Sequence, residues 1–178
     1  MTSSDAAPRL LPLIRQLQTD RAALLAAFER VPALRRAERP APDRWSAAEV
    51  ADHVAIVESR LAAALHKALP ELPAAGPDAG ITSFDPVRVL DRSTRFSAPE
   101  FVHPKGHVDP ALAIAALAQA WSDVDDVIAA AERRDLAAWQ RPHPALGLLD
   151  GYQWLASLGG HARRHAAQID EIADVLGV

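Results

Sequence analysis

The chain has 178 residues, about half of them apolar, and a formal charge of -4 with both signs mixed along it. That length buries one good core, and the charge supplies no basic stripe, so one domain is expected over 1–178 and nucleic acid is excluded as the principal partner. The absence of cysteine removes both a disulfide framework and a thiol nucleophile, so any thiol chemistry needs an external thiol.

Alanine is abundant and β-branched and aromatic residues are sparse, a composition that points to an all-α protein. The opening stretch, MTSSDAAPRLL, has no basic segment followed by a long apolar run, and no window approaches 18 uncharged apolar residues. A cytoplasmic protein without a membrane span is therefore expected.

The first predicted helix covers 9–30, with Leu10, Leu13, Ile14, Leu17, Leu24, Leu25 and Phe28 on its apolar face. Pro12 is compatible with the first turn, and Val31-Pro32 ends the helix. The second, 46–69, starts at a capping box in which Ser46 is the N-cap, Glu49 is N3 and Trp45 is placed as a hydrophobic staple. Its stripe is Val50, Val54, Val57, Leu61, Ala64 and Leu65. His53 lies within about 60° of Val50 and Val57 and is either a hydrogen-bonded core residue or a ligand, whereas His66 points to solvent.

From Pro70 to Pro110 the chain carries seven of its fourteen prolines and no sustained helical period. A helix of about 24 residues is roughly 36 Å long, a distance that such a connection can span, which would leave the second and third helices parallel. His103 and His107 read as surface loop residues, because Pro104 and Gly106 oppose a helix there.

The third helix, 110–133, begins with Asp109 as N-cap and Pro110 as N1. A short helical turn containing Trp139 is expected over 134–141, then an extended connection through Pro142-His143-Pro144. The fourth helix, 150–176, opens on Asp150 and Gln153 as a second capping box. Gly159-Gly160 in its interior costs about 1 kcal/mol per glycine relative to alanine, so a close neighbour, helix or ligand, is expected there. One turn further on, His161 and His165 project from one face beside the apolar stripe of Leu155, Leu158, Ile169, Ile172 and Leu176, so both imidazoles can reach one point. That is a metal-ligand spacing that faces a core. Gln168, a turn beyond His165, either orients a bound group or closes a helix contact.

Trp45-Ser46 with Glu49 and His53, then His143-Pro144 and Gly147 before a tryptophan-bearing helix, then His161-x-x-x-His165-x-x-Gln168, together resemble the DinB-like family over residues 9–176. The resemblance implies a four-helix bundle with up-down-down-up topology, its long crossover lying between the second and third helices. It also implies one divalent metal held by His53, His161 and His165, and a homodimer. Some members are thiol-dependent transferases or isomerases that use a low-molecular-weight thiol; many have no assigned reaction.

Three neutral imidazoles leave a coordination position open, which suits catalysis better than a closed structural site. Imidazole does not select among divalent ions; availability favours zinc, with nickel the rival. The open position is expected to face a cleft lined by Trp45, Val57, Trp154 and Leu158, with Gln168 and Glu49 as candidates for the shell behind the ligands. No serine-histidine-aspartate or paired-carboxylate set offers another mechanism. Two functional classes stay open: a metal-dependent transferase, isomerase or hydrolase acting on a small molecule, and a metal-binding stress-response or interaction bundle without turnover.

Overall fold

The computed structural model describes residues 9–76, 79–94 and 96–178. Residues 1–8, which open the stretch searched for a leader, lie outside the described residues, as do Pro77, Asp78 and Arg95 within the crossover. The described chain is mostly helical: α1 Leu11–Arg30, α2 Ala47–Ala68, the single turn α3 Val87–Leu90, α4 Pro110–Ala131 and α5 Gly151–Leu176.

Local chemistry fixes the helix ends. Ser46 Oγ accepts from the Glu49 backbone N–H while Glu49 Oε2 accepts from the Ser46 N–H, and Asp150 and Gln153 repeat the arrangement at α5. Such a cap is worth about 1 kcal/mol against alanine. Asp109 accepts from the N–H groups of Ala111 and Leu112 to start α4, and Gly177, at a left-handed φ of 74°, closes α5.

Two buried apolar clusters fill the interior. One joins Leu13 and Leu17 of α1, Leu61 and Leu65 of α2, Val124 and Ile128 of α4, and Tyr152 and Leu155 of α5. The other joins Leu24 and Phe28, Val50 and Val54, Ala113 and Leu117, and Ala166 and Ile169 of the same four helices. Each fully buried leucine or isoleucine contributes about 1.5–3 kcal/mol. The start of α1 therefore packs beside the start of α5, where Arg9 donates to the Tyr152 hydroxyl at 2.6 Å, and its end pairs with Asp170 and Asp174 through Arg30. The start of α2 likewise shares its cluster with the start of α4.

One local expectation is corrected. The segment read as a helical turn with an extended sequel holds a one-turn 3-10 helix, Leu136–Ala138, that ends before Trp139, and then a two-stranded antiparallel hairpin, β1 Gln140–His143 and β2 Gly147–Asp150. Gly147 supplies the φ of 86° that the turn requires, and this turn chemistry overrides the helical composition of the chain. The crossover, in turn, is pinned along its length. Asp135 N–H donates to Pro73 O at 2.9 Å, and Arg164 of α5 donates to Val89 O, Asp91 O and Thr94 O at 2.9, 2.5 and 2.6 Å.

The interior glycines of α5 follow from these approaches. A Cβ on Gly159 would stand 2.5 Å from Asp20 Oδ2 of α1, and one on Gly160 would stand 3.3 Å from Val89 Cγ1 of α3. Neighbouring chain, on both sides, takes the space a side chain would need.

Candidate metal centre

His53 comes from α2, and His161 and His165 from α5, each placed by helical periodicity on a face turned inward. One ligand atom from each of the three lies within 4.8 Å of the others, and this is the group of acidic, histidine or cysteine side chains among the described residues that could hold an ion. His53 is 3% exposed and His165 8%. Tetrahedral bonds of about 2.0–2.1 Å set neighbouring nitrogens about 3.3 Å apart, so the separations require little movement to close on a metal.

The outer nitrogens decide which inner ones are available. His53 Nδ1–H donates to the Val102 carbonyl at 2.8 Å, and His165 Nδ1–H donates to Gln168 Oε1 at 2.8 Å. Both tautomers then leave Nε2 as a lone pair aimed inward. His161 Nε2 lies 3.1 Å from His165 Nε2 and supplies the proton between them, while His161 Nδ1 is buried without a partner. A cation in place of that proton would meet inward-facing lone pairs and move the His161 proton to the orphaned Nδ1. The donor set fits a divalent metal.

Electrostatics agree. Burial pushes His165 down to about 3, with His53 adding to the effect against the Gln168 bond. Burial also pulls His161 well below the usual imidazole range, reinforced by His165, His53 and His143, and lowers His53 despite the Val102 bond. The rings are neutral near pH 7, the form that binds metal.

The remaining sequence candidates fall into separate groups. Gln168 stands behind His165, and Trp45 packs its ring 4.9 Å from His53 and 5.5 Å from His103. Trp154 packs against His143 at 4.7 Å and donates from Nε1 to Arg141 O. Leu158 is 2% exposed within the first apolar cluster, and Val57 packs on that cluster. Glu49 is occupied by its cap and by Arg39, whose bonds outweigh the burial that would raise it and keep the carboxyl lowered. His66 and His107 are exposed, whereas His103 is half-buried, with Nε2 donating to Ala98 O at 2.8 Å.

Sequence reasoning missed the Val102 carbonyl and the Val89 contact, which no periodicity announces because they are delivered by an irregular segment. His103 was read as surface because proline and glycine surround it, and its contact with Trp45 arises only when the crossover folds back.

The family model of the DinB superfamily matches residues 16–169, a span that includes all three histidines. No curated protein and no solved structure matches the chain.

Proposed function

The chain belongs to the DinB superfamily, and from that premise we propose that it binds one divalent metal, zinc or nickel, through His53, His161 and His165. On this reading it acts as a metal-dependent enzyme on a small molecule, as a thiol-dependent transferase or isomerase or as a hydrolase. The observation that carries the reading is the inward convergence of three imidazoles, two of them buried and locked by Val102 and Gln168. Three neutral imidazoles would hold such an ion without cancelling its charge, and the chemistry it would supply is hydroxide near neutral pH or activation of an external thiolate.

The chain's own residues bind and orient. Val102 and Gln168 hold two rings in the required tautomer, and Trp45 covers one side of His53. The scaffold is an up-down-down-up four-helix bundle, with α1 and α5 running one way and α2 and α4 the other, a reading supported by the shared clusters and the Arg9 and Arg30 contacts. A cytoplasmic homodimer belongs to the same proposal. No helix among the described residues is long and apolar enough to cross a membrane.

The burial of His53 and His165 favours a second reading, a metal-binding bundle without turnover. Tag-free protein is expected to retain near-stoichiometric metal by mass spectrometry of the ions, and metal-loaded protein to turn over an electrophile in a screen with assorted thiols. A wild-type chain that holds no metal after reconstitution removes both readings; metal without turnover supports the second.

A further inference from the structure

The crossover between α2 and α4 follows α5 closely. Gln153 donates to Ser83 O at 3.2 Å, Pro86 and Val89 lie against Gly160, and Arg92 pairs with Glu171. Further along, Val102 O accepts from His53 of α2. The connection is therefore bonded to both helices that carry the triad, through residues that neighbour or belong to it.

What holds it differs from what holds the helices. α2 and α5 share two apolar clusters, so parting them exposes the core. Over residues 86–94, by contrast, Val89 is the one buried residue, and α3 is a single turn. The remaining attachment is polar and centres on Arg164, next to His165: Nη1 donates to Val89 O and Asp91 O, and Nη2 to Thr94 O. A planar guanidinium presents these donors in a fixed fork, and its charge strengthens each bond. Asp91 shapes the acceptors, its carboxylate accepting from the Ser93 N–H and from the Ser93 and Thr94 hydroxyls. The pair of Arg92 and Glu171 is part-exposed and contributes less. Segments with so few buried apolar contacts open locally at far lower cost than the core. His53 and His165 are buried, and release of this segment is the way to uncover them that separates no core helices.

We propose that residues 86–94 form a strap over the histidine centre, that Arg164 is its latch, and that release of the latch is the step by which a divalent ion enters and leaves. The proposal rests on the metal reading above and adds the control of that site. A latch of this kind sets rates in both directions, whereas a lost ligand changes affinity.

The test follows cobalt(II) uptake by the full chain through its visible absorption, and release through transfer to a chelator. Arg164→Gln, which loses the fork, is expected to take up and release cobalt at least about tenfold faster than wild type, with affinity changed less than either rate. The converse variant locks the strap. The chain has no cysteine, and a Cβ on Gly160 would stand 3.4 Å from Val89 Cβ, near the roughly 3.5–4.5 Å of a disulfide. Val89→Cys with Gly160→Cys, oxidised before cobalt is added, is expected to slow uptake and release at least about tenfold against wild type, a result that does not depend on the folding of Arg164→Gln. In the metal-free chain the amides of Leu90 and Asp91, bonded to Pro86 O and Val87 O, are expected to exchange with solvent at least about tenfold faster in Arg164→Gln. Wild-type cobalt rates in the oxidised pair overturn the proposal alone and assign passage to the exposed edge of half-buried His161. Wild-type cobalt rates or unchanged amide exchange in a folded Arg164→Gln also overturn it alone. Failure of wild type to bind cobalt overturns the metal reading and the proposal together.

Discussion

Among the described residues, the histidine triad and the charged group around Arg21 are both buried polar clusters, and their construction differs. The histidine triad gathers three groups of one kind whose outer nitrogens face Val102 O, Gln168 Oε1 and, for His161, no partner. The other cluster sets opposite charges against each other. Arg21 of α1 bonds Asp125 of α4 at 2.7 Å, lies 3.6 Å from Glu58 of α2 and stacks over Trp121, whose Nε1–H donates to Glu58 at 3.3 Å. Burial raises Glu58 to about 7, against the pull of Arg21 and Trp121. Opposite charges face one another across α1, α2 and α4, although Arg21 Nε and Nη2 and Glu58 Oε2 lack a hydrogen bond, whereas the triad brings together nitrogens of one kind with His161 Nδ1 unpartnered. Neither burial nor unpaired atoms alone distinguish a site from a scaffold; whether the facing groups are of opposite or of one kind does.

The strongest way to break this contrast is to remove one of the three histidines. His53→Ala, His161→Ala or His165→Ala is expected to weaken metal binding by more than about a hundredfold, beyond the loss typical of a supporting residue, while exposed His66→Ala leaves it unchanged. Competition with a chelator measures both.

Glu58 tests the scaffold through pH. Its folded pKa is raised above the ordinary carboxyl value, so the folded state holds more protons than the unfolded one between about 4.5 and 7. Its contribution is fully present below about 4.5 and is lost as pH rises through 7, an effect of about 3 kcal/mol. Subtracting the stability profile of Glu58→Gln from that of metal-loaded wild type removes the histidine contribution common to both. A difference that is flat from pH 5 to pH 8 would show Glu58 ionised throughout.

Gly159→Ala probes the packing of Asp20, which is 2% exposed and bonded by Gln16 at 2.9 Å. A methyl 2.5 Å from the carboxylate is expected to cost about 2 kcal/mol in denaturant melts, more than alanine's helix propensity returns. Gly160→Ala, facing the movable Val89 side chain at 3.3 Å, is expected to be near neutral.

Gln168→Ala sharpens the comparison from the triad's side. Losing the acceptor for His165 Nδ1–H is expected to weaken metal binding about tenfold, with little change in metal-free stability because Gln168 is half-buried. Equal losses of stability and affinity would assign Gln168 to the scaffold.

Helix positions and the shared face of the two α5 histidines were legible because caps, proline stops and the i, i+4 spacing act within a turn or two of chain. Ser46-x-x-Glu49 and Asp150-x-x-Gln153 start helices where the residues say they do, and His161 and His165 need only a helix to share a face. The hairpin at Gln140–Asp150 was not legible, since its short strands hold a proline and lack alternation, and only Gly147's φ declares the turn. The glycine pair announced a close approach without naming the neighbour.

By itself, then, the sequence determined the long helices, their inward faces and a histidine pair ready for a metal, all of them consequences of local hydrogen bonding and helical period. Only the tertiary structure decided that Val102, 49 residues from His53 along the chain, fixes that ring's tautomer, that Asp20 and Val89 occupy the space above Gly159 and Gly160, and that Arg21 answers Glu58. Those contacts are set by which helix faces meet and where an irregular crossover is pinned, and sequence spacing carries no term for either.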